Sequence, residues 1–208
     1  MQKITKFALV GATVAALGAI NVSSADAQVC IGFPTFGGQA AAAVTTSFPA
    51  GGNSLGGEFG YNAVGPLSLF GGASVRQFNE EGVADVTSAG GGIALEVGAI
   101  DAALPAGISA CPVVAVRFPN IDDTDTYRIP VGLGIGTTLG MNGALSLSPY
   151  VIPQLSFLRS PGVTGRDFAV EAGALLNLGR VLYLGATVNR LFLDEEESIF
   201  GLKVGATF

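Results

Sequence analysis

The chain has 208 residues, with 10 Lys and Arg, 16 Asp and Glu, no His and no Trp, and a formal net charge of −6. That length leaves room for one domain, and the acidic balance offers no electrostatic footprint for nucleic acid. The lack of His removes the Ser–His dyads and triads that activate most serine nucleophiles, together with the commonest transition-metal ligand. No enzymatic activity, no catalytic residue and no cofactor are therefore expected.

Lys3 and Lys6 precede an uncharged, largely apolar stretch from Phe7 to Ile20, followed by Ala25, Asp26 and Ala27 in a small-x-small pattern. This is the three-part layout of a cleaved secretory signal peptide over 1–27. The apolar run is short and rich in Gly and Ala for a helix that must cross about 30 Å of hydrocarbon. Val29 stands where a lipobox requires Gly, Ala or Ser, so Cys30 is not expected to carry lipid. The mature part, 28–208, would hold 8 basic and 15 acidic residues, a net charge of −7. Mean hydropathy is +0.54 with 12% charged residues, yet no long uninterrupted apolar run follows Ile20. Short alternating strands, each half apolar and facing lipid on one side, reconcile the two facts.

Period-2 alternation recurs between turn signals. It predicts strands near 39–48, 54–63, 67–78, 89–99, 110–118, 126–138, 144–157, 167–176, 181–192 and 199–208. In the sixth, Ile129, Val131, Leu133 and Ile135 alternate with Arg128, Pro130, Gly132, Gly134 and Gly136. The eighth offers Phe168, Val170, Ala172, Ala174 and Leu176, and the ninth Leu182, Leu184, Ala186 and Val188. Segments of about ten alternating residues match the wall of an outer-membrane barrel. The expected fold is all-β, a closed antiparallel up-and-down transmembrane β-barrel of ten strands, with eight as the alternative should one of the first five segments not pair. Connectors alternate between short ones (64–66, 141–143, 177–180) and longer or acidic ones (79–88, 119–125, 159–166, 194–198), and 99–109 is a long exception on the short side. Phe48, Phe118, Tyr127, Phe157, Phe168 and Phe192 fall at strand ends beside the longer loops, as an interfacial girdle would.

In the last segment, Phe200, Leu202, Val204, Ala206 and the terminal Phe208 share one face. With this ending and the repeated alternation, the mature chain resembles the small outer-membrane β-barrel proteins of Gram-negative bacteria, the OmpA/OmpX-like group. The resemblance implies location in the bacterial outer membrane, among its lipids and lipopolysaccharide. It also implies insertion by the barrel-assembly machinery, with Phe200, Leu202, Val204 and Phe208 as the assembly signal. It carries no catalytic residue and no ligand.

With each apolar face outward, the inward face carries Glu58, Arg76, Glu96, Arg117, Arg128, Asp167, Glu171 and Lys203. A charge facing lipid costs about 2–4 kcal/mol near the midplane, so the inward placement is favoured, and the balanced signs suggest pairing. Two functions follow. The network closes the lumen and the barrel is a scaffold displaying acidic external loops, or it lines a narrow porin-like channel for small solutes or ions. A soluble lipocalin-like binding barrel is the third alternative; it requires the apolar face inward. Acidic runs at Asn120–Asp125 and Asp194–Glu197 invite divalent cations, with Asp122, Asp123 and Asp125 as calcium candidates, but the spacing matches no EF-hand loop. In an exported chain, Cys30 and Cys111 are placed to form a disulfide between the N-terminal segment and the 99–109 connector.

Overall fold

The computed structural model describes residues 31–33, 40–64, 67–80, 82–96, 103–105, 108–120, 125–142, 145–192 and 197–208. The signal-peptide segment, Cys30, Asp122 and Asp123 lie outside them. Eleven strands are present among these residues: β1 (Ala40–Phe48), β2 (Gly52–Val64), β3 (Leu67–Phe78), β4 (Val86–Leu95), β5 (Ile108–Phe118), β6 (Tyr127–Thr137), β7 (Leu139–Asn142), β8 (Leu145–Ser160), β9 (Val163–Leu178), β10 (Leu182–Phe192) and β11 (Glu197–Thr207).

All pairings are antiparallel between neighbours, and the sheet closes on itself where β1 pairs with β11 and β6 with β8. The short β7 follows β6 after one residue and pairs with the start of β8, so β6 and β7 together occupy one stave of a ten-stave barrel. The seam is fixed from Ala41 opposite Thr207 to Phe48 opposite Phe200. Beyond it, the Phe208 N–H donates to the Ala40 carbonyl at 2.8 Å, and the Ala40 N–H returns to the Phe208 carbonyl at 3.3 Å. Closure leaves no long unpaired edge, which is what a strand wall in hydrocarbon requires.

Two interruptions in the ladders have a covalent cause. Pairing of β5 with β6 skips the rungs between Val114–Val131 and Arg117–Arg128, where Pro130 sits. Pairing of β6 with β8 likewise skips the rungs between Gly132–Gln154 and Ile135–Val151, where Pro153 sits. Proline has no N–H to give a ladder. Register continues unchanged on both sides, so the wall tolerates each gap.

The predicted strands and the observed ones agree within a few residues, with one substantial difference. The segment 159–166 reads as a longer loop because Arg, Ser, Pro and Gly cluster there. Instead β8 and β9 remain paired through Leu158–Gly165, Arg159–Thr164 and Ser160–Val163. The connection is only Pro161 and Gly162, the latter at φ 76°. Glycine enters that left-handed region without steric cost, so a tight turn suffices and the hairpin projects as two 16-residue strands.

Outward positions are apolar around the ring: Val44, Leu55, Ile93, Val114, Val131, Leu155, Leu184 and Val204 are all exposed. Along β10 the outward series from Leu182 to Phe192, apolar except for Arg190 just beneath Phe192, rises about 33 Å along the strand, or about 25 Å along the axis at a tilt of about 40°. That matches the height of a hydrocarbon band. Inward positions are polar, small or aromatic, with Val113, Ile152 and Leu175 as aliphatic exceptions toward one end. The lipocalin-like alternative needs the reverse arrangement, and the alternation here does not provide it.

The barrel lumen and its rims as candidate functional site

Each strand places its odd or even residues inward, so the lumen's contents follow from register alone. At the end where β1 begins and β11 finishes, the interior is an apolar floor. Ala41 of β1, Ala94 of β4, Cys111 and Val113 of β5, Tyr150 and Ile152 of β8, Leu175 of β9 and Tyr183 of β10 form one buried cluster, joined by Phe70 of β3. Ile31 and Phe33, which precede β1, sit inside that cluster at 8% and 3% exposure. Below it, buried polar groups bond to one another: Asn177 Nδ2 donates to Ser146 Oγ at 2.9 Å and to Ser148 Oγ at 3.0 Å, while Asn177 Oδ1 has no hydrogen-bond partner among the described residues. Ser68 Oγ donates to Asn62 Oδ1 at 2.7 Å.

Glycines make the floor possible. A Cβ at Gly173 would stand 2.7 Å from the Tyr150 ring, and one at Gly185 2.5 Å from Lys203 Cγ. No residue with a side chain fits beside either group without displacing it.

Above the floor lies a mid-depth polar layer. Lys203 Nζ donates to Glu58 Oε1 at 2.6 Å and to the Gly32 carbonyl at 3.1 Å, and stands 5.3 Å from the Phe33 ring centre. Its side chain is 6% exposed, against 27% for Glu58. Tyr150 OH donates to Glu171 Oε1 at 3.3 Å. A cavity of about 230 Å³ opens over this layer, bordered by Thr45, Glu58, Glu171, Asn189 and Lys203.

The rim at the loop end is richer in cations. Arg128 pairs with Asp167 at 3.3 Å, and Arg76 donates to the Ala50 carbonyl at 2.7 Å while lying 4.8 Å from the Phe78 ring. Arg117 shares the inward register of Cys111 and Val113, but it is exposed at the mouth, opposite Arg128 on β6. Glu96 follows β4, at the end where β1 begins. The eight charges thus divide by height: Glu58, Glu171 and Lys203 at mid-depth, Arg76, Arg117, Arg128 and Asp167 near the loop mouth, Glu96 at the opposite mouth. Asp125, exposed just before β6, is the one calcium candidate among the described residues.

Outside, aromatic side chains meet across neighbouring strands at the loop end. Phe48 stacks on Phe200 with centroids 6.3 Å apart, Phe118 meets Tyr127 at 6.4 Å, and Phe168 meets Phe192 at 5.5 Å. Along and just after β11, Phe200, Leu202, Val204 and Phe208 all point outward and are exposed.

Sequence reasoning found the charges but missed the floor. Tyr150 and Tyr183 were legible, because each falls on the inward parity of its strand. Ile31 and Phe33 were not, since a three-residue stretch outside any strand carries no periodicity.

No protein-family model and no curated protein matches the sequence. Among solved structures, the chain is similar to a bacterial polysaccharide outer membrane secretin at 10% identity and TM-score 0.47, over 76% of this chain and 57% of that one. It therefore spans somewhat more than half of the secretin chain. It is also similar to the N-terminal β-barrel domain of Pseudomonas aeruginosa OprF (13% identity, TM-score 0.39, 83% and 99% covered). A third similarity is to Ail, the attachment invasion locus protein of Yersinia pestis (14% identity, TM-score 0.30, 81% and 95% covered). The closed ring of strand pairings, rather than these remote likenesses, defines the fold.

Proposed function

We propose that the protein is a non-enzymatic integral barrel of the bacterial outer membrane, with a closed lumen and loops displayed outside as a scaffold. A wall of alternating strands with an apolar exterior of about 25 Å supports the membrane location. The observation that carries the closed reading is the floor: residues from six staves and the segment before β1 meet in one buried cluster, with the partly buried Phe70 of a seventh stave packed against it. Water and ions have no polar path through such a layer. The polar cavity above it is then a blind vestibule rather than half of a channel.

In this reading both termini face the periplasm, the barrel-assembly machinery reads β11, and lipids and lipopolysaccharide surround the wall. Divalent cations at the acidic loops remain an optional decoration. The pair Cys30–Cys111 ties the segment before β1 to β5. Support for that tie is the complete burial of Cys111, its contact group shared with Ile31, the neighbour of Cys30, and the absence of a free cysteine among the described residues.

Planar-bilayer recording of the refolded protein tests the closed reading. Silent membranes at moderate voltage are expected. Discrete conductance steps that scale with protein concentration would establish the porin-like alternative instead.

A further inference from the structure

Among the described residues most cations of the wall point inward, but Arg159 of β8, Arg166 of β9 and Arg190 of β10 point outward; Arg190 lies over Phe192 of its own strand at 5.2 Å, whereas Arg159 and Arg166 border one groove. Each alternates in phase with an outward aromatic, Arg159 with Phe157 and Arg166 with Phe168, and each is exposed. Phe157 stands opposite Arg166 in the ladder, with the guanidinium 5.9 Å from its ring centre. Neither arginine has a carboxylate partner among the described residues. Together with Tyr127 and Ile129 of β6 and Thr164 they border an external groove of about 580 Å³.

Height decides what such a groove meets. Arg159 is level with Tyr127 of β6 and Arg166 with Phe157 of β8, so both lie at the height of the aromatic girdle. Aromatic rings settle at the interface and cations just outside it, at the level of the phosphates. A guanidinium placed there binds phosphate oxygens in pairs, while Ile129 and Phe157, level with Arg166 and one rung pair below Arg159, offer an apolar wall for acyl chains. We infer that this groove holds the phosphorylated head group of an outer-leaflet glycolipid, its phosphate between Arg159 and Arg166 and its chains along Ile129 and Phe157. The inference rests on the reading that the hairpin end faces the cell exterior.

The test uses the refolded full mature chain in phosphatidylcholine nanodiscs, titrated with a bis-phosphorylated glucosamine lipid and with its dephosphorylated counterpart. Retained lipid is counted by native mass spectrometry. The native protein should retain the phosphorylated lipid, and Arg159→Gln/Arg166→Gln should bind about tenfold more weakly. Arg180→Gln, an exposed arginine in the turn at the opposite end, should bind as the native protein does. Equal retention by the double variant, or equal retention of the dephosphorylated lipid, would overturn the inference. So would displacement of the lipid by low-millimolar inorganic phosphate, which marks a simple anion site. Folding of each variant is checked by heat-dependent gel mobility. Labelling of Pro161→Cys in intact cells with an impermeant thiol reagent tests the orientation separately. Labelling only after the envelope is opened would remove the orientation while leaving the binding result to stand.

Discussion

At the scale of single residues, the lumen is built from close approaches that leave little freedom. Lys203 is the most consequential charge, because it is buried and joins Glu58, the Gly32 carbonyl and the Phe33 ring. Lys203→Met keeps most of the volume but leaves Glu58 without its cation. Glu58 keeps partial access to the cavity, so the expected loss is about 1–3 kcal/mol, below the cost of breaking a fully buried pair. Urea unfolding in detergent micelles measures it. Glu58→Gln/Lys203→Met should recover part of the loss, and a double variant as unstable as the sum of the single ones would mean that the two groups do not interact. Glycines make a second comparison. Gly173→Val drives a side chain into the Tyr150 ring and should cost about 1–3 kcal/mol. At Gly165 the nearest atom to an added Cβ is Leu158 Cβ at 3.7 Å, so Gly165→Val should change stability by less than about 0.5 kcal/mol. Equal effects would show that lumen packing is not what holds Tyr150.

At the scale of elements, most of the wall was legible because a two-sided environment imposes a period of two. Strands such as β3 and β10 announce themselves by alternation alone, and the predicted 67–78 coincides with β3. Where the reading failed, composition and pairing disagreed. Residues 159–166 have the residue types of a loop, yet cross-strand pairing and a two-residue turn extend both strands. The segment before β1 failed for a different reason, since its burial is a tertiary event with no local signature. Heights of the charges were also hidden, because parity says which way a residue faces but not which neighbour shares its level. The ladders themselves differ in extent. β8 and β9 pair from Leu145–Leu178 to Ser160–Val163, whereas β4 and β5 pair only from Ala89–Phe118 to Ala94–Val113. Backbone amides of β4 and β5 should therefore exchange with deuterium faster than those of β8 and β9, by about tenfold or more, since local opening follows the extent of pairing. Hydrogen-exchange mass spectrometry on the refolded barrel resolves these peptides. Uniform protection around the ring would show that closure, not local pairing, sets the opening free energy.

At the scale of the molecule, the barrel combines a wall that any ten-strand ring could supply with a floor particular to this chain. Ten staves enclose more space than eight, and here inward tyrosines, Leu175 and the segment before β1 fill it at one end. Phe33 is central: it packs within the floor, lies over Gly60 of β2, and faces the Lys203 ammonium. Full burial of a Phe is worth about 1.5–3 kcal/mol, enough to hold a short segment in place but not enough to be irreversible. If Cys30 and Cys111 are joined, the tie closes a loop of about 80 residues, worth up to about 4.5 kcal/mol in the chain-entropy estimate, and keeps the segment from leaving. Ile31→Ser/Phe33→Ser should then lower the unfolding midpoint and produce discrete openings in planar bilayers where the native barrel is silent. Reductant should raise the frequency of those openings, because the segment could swing away from β5. A folded double variant that stays silent with and without reductant would show that Tyr150, Tyr183 and Leu175 seal the lumen by themselves, and that the segment stabilises the barrel without closing it.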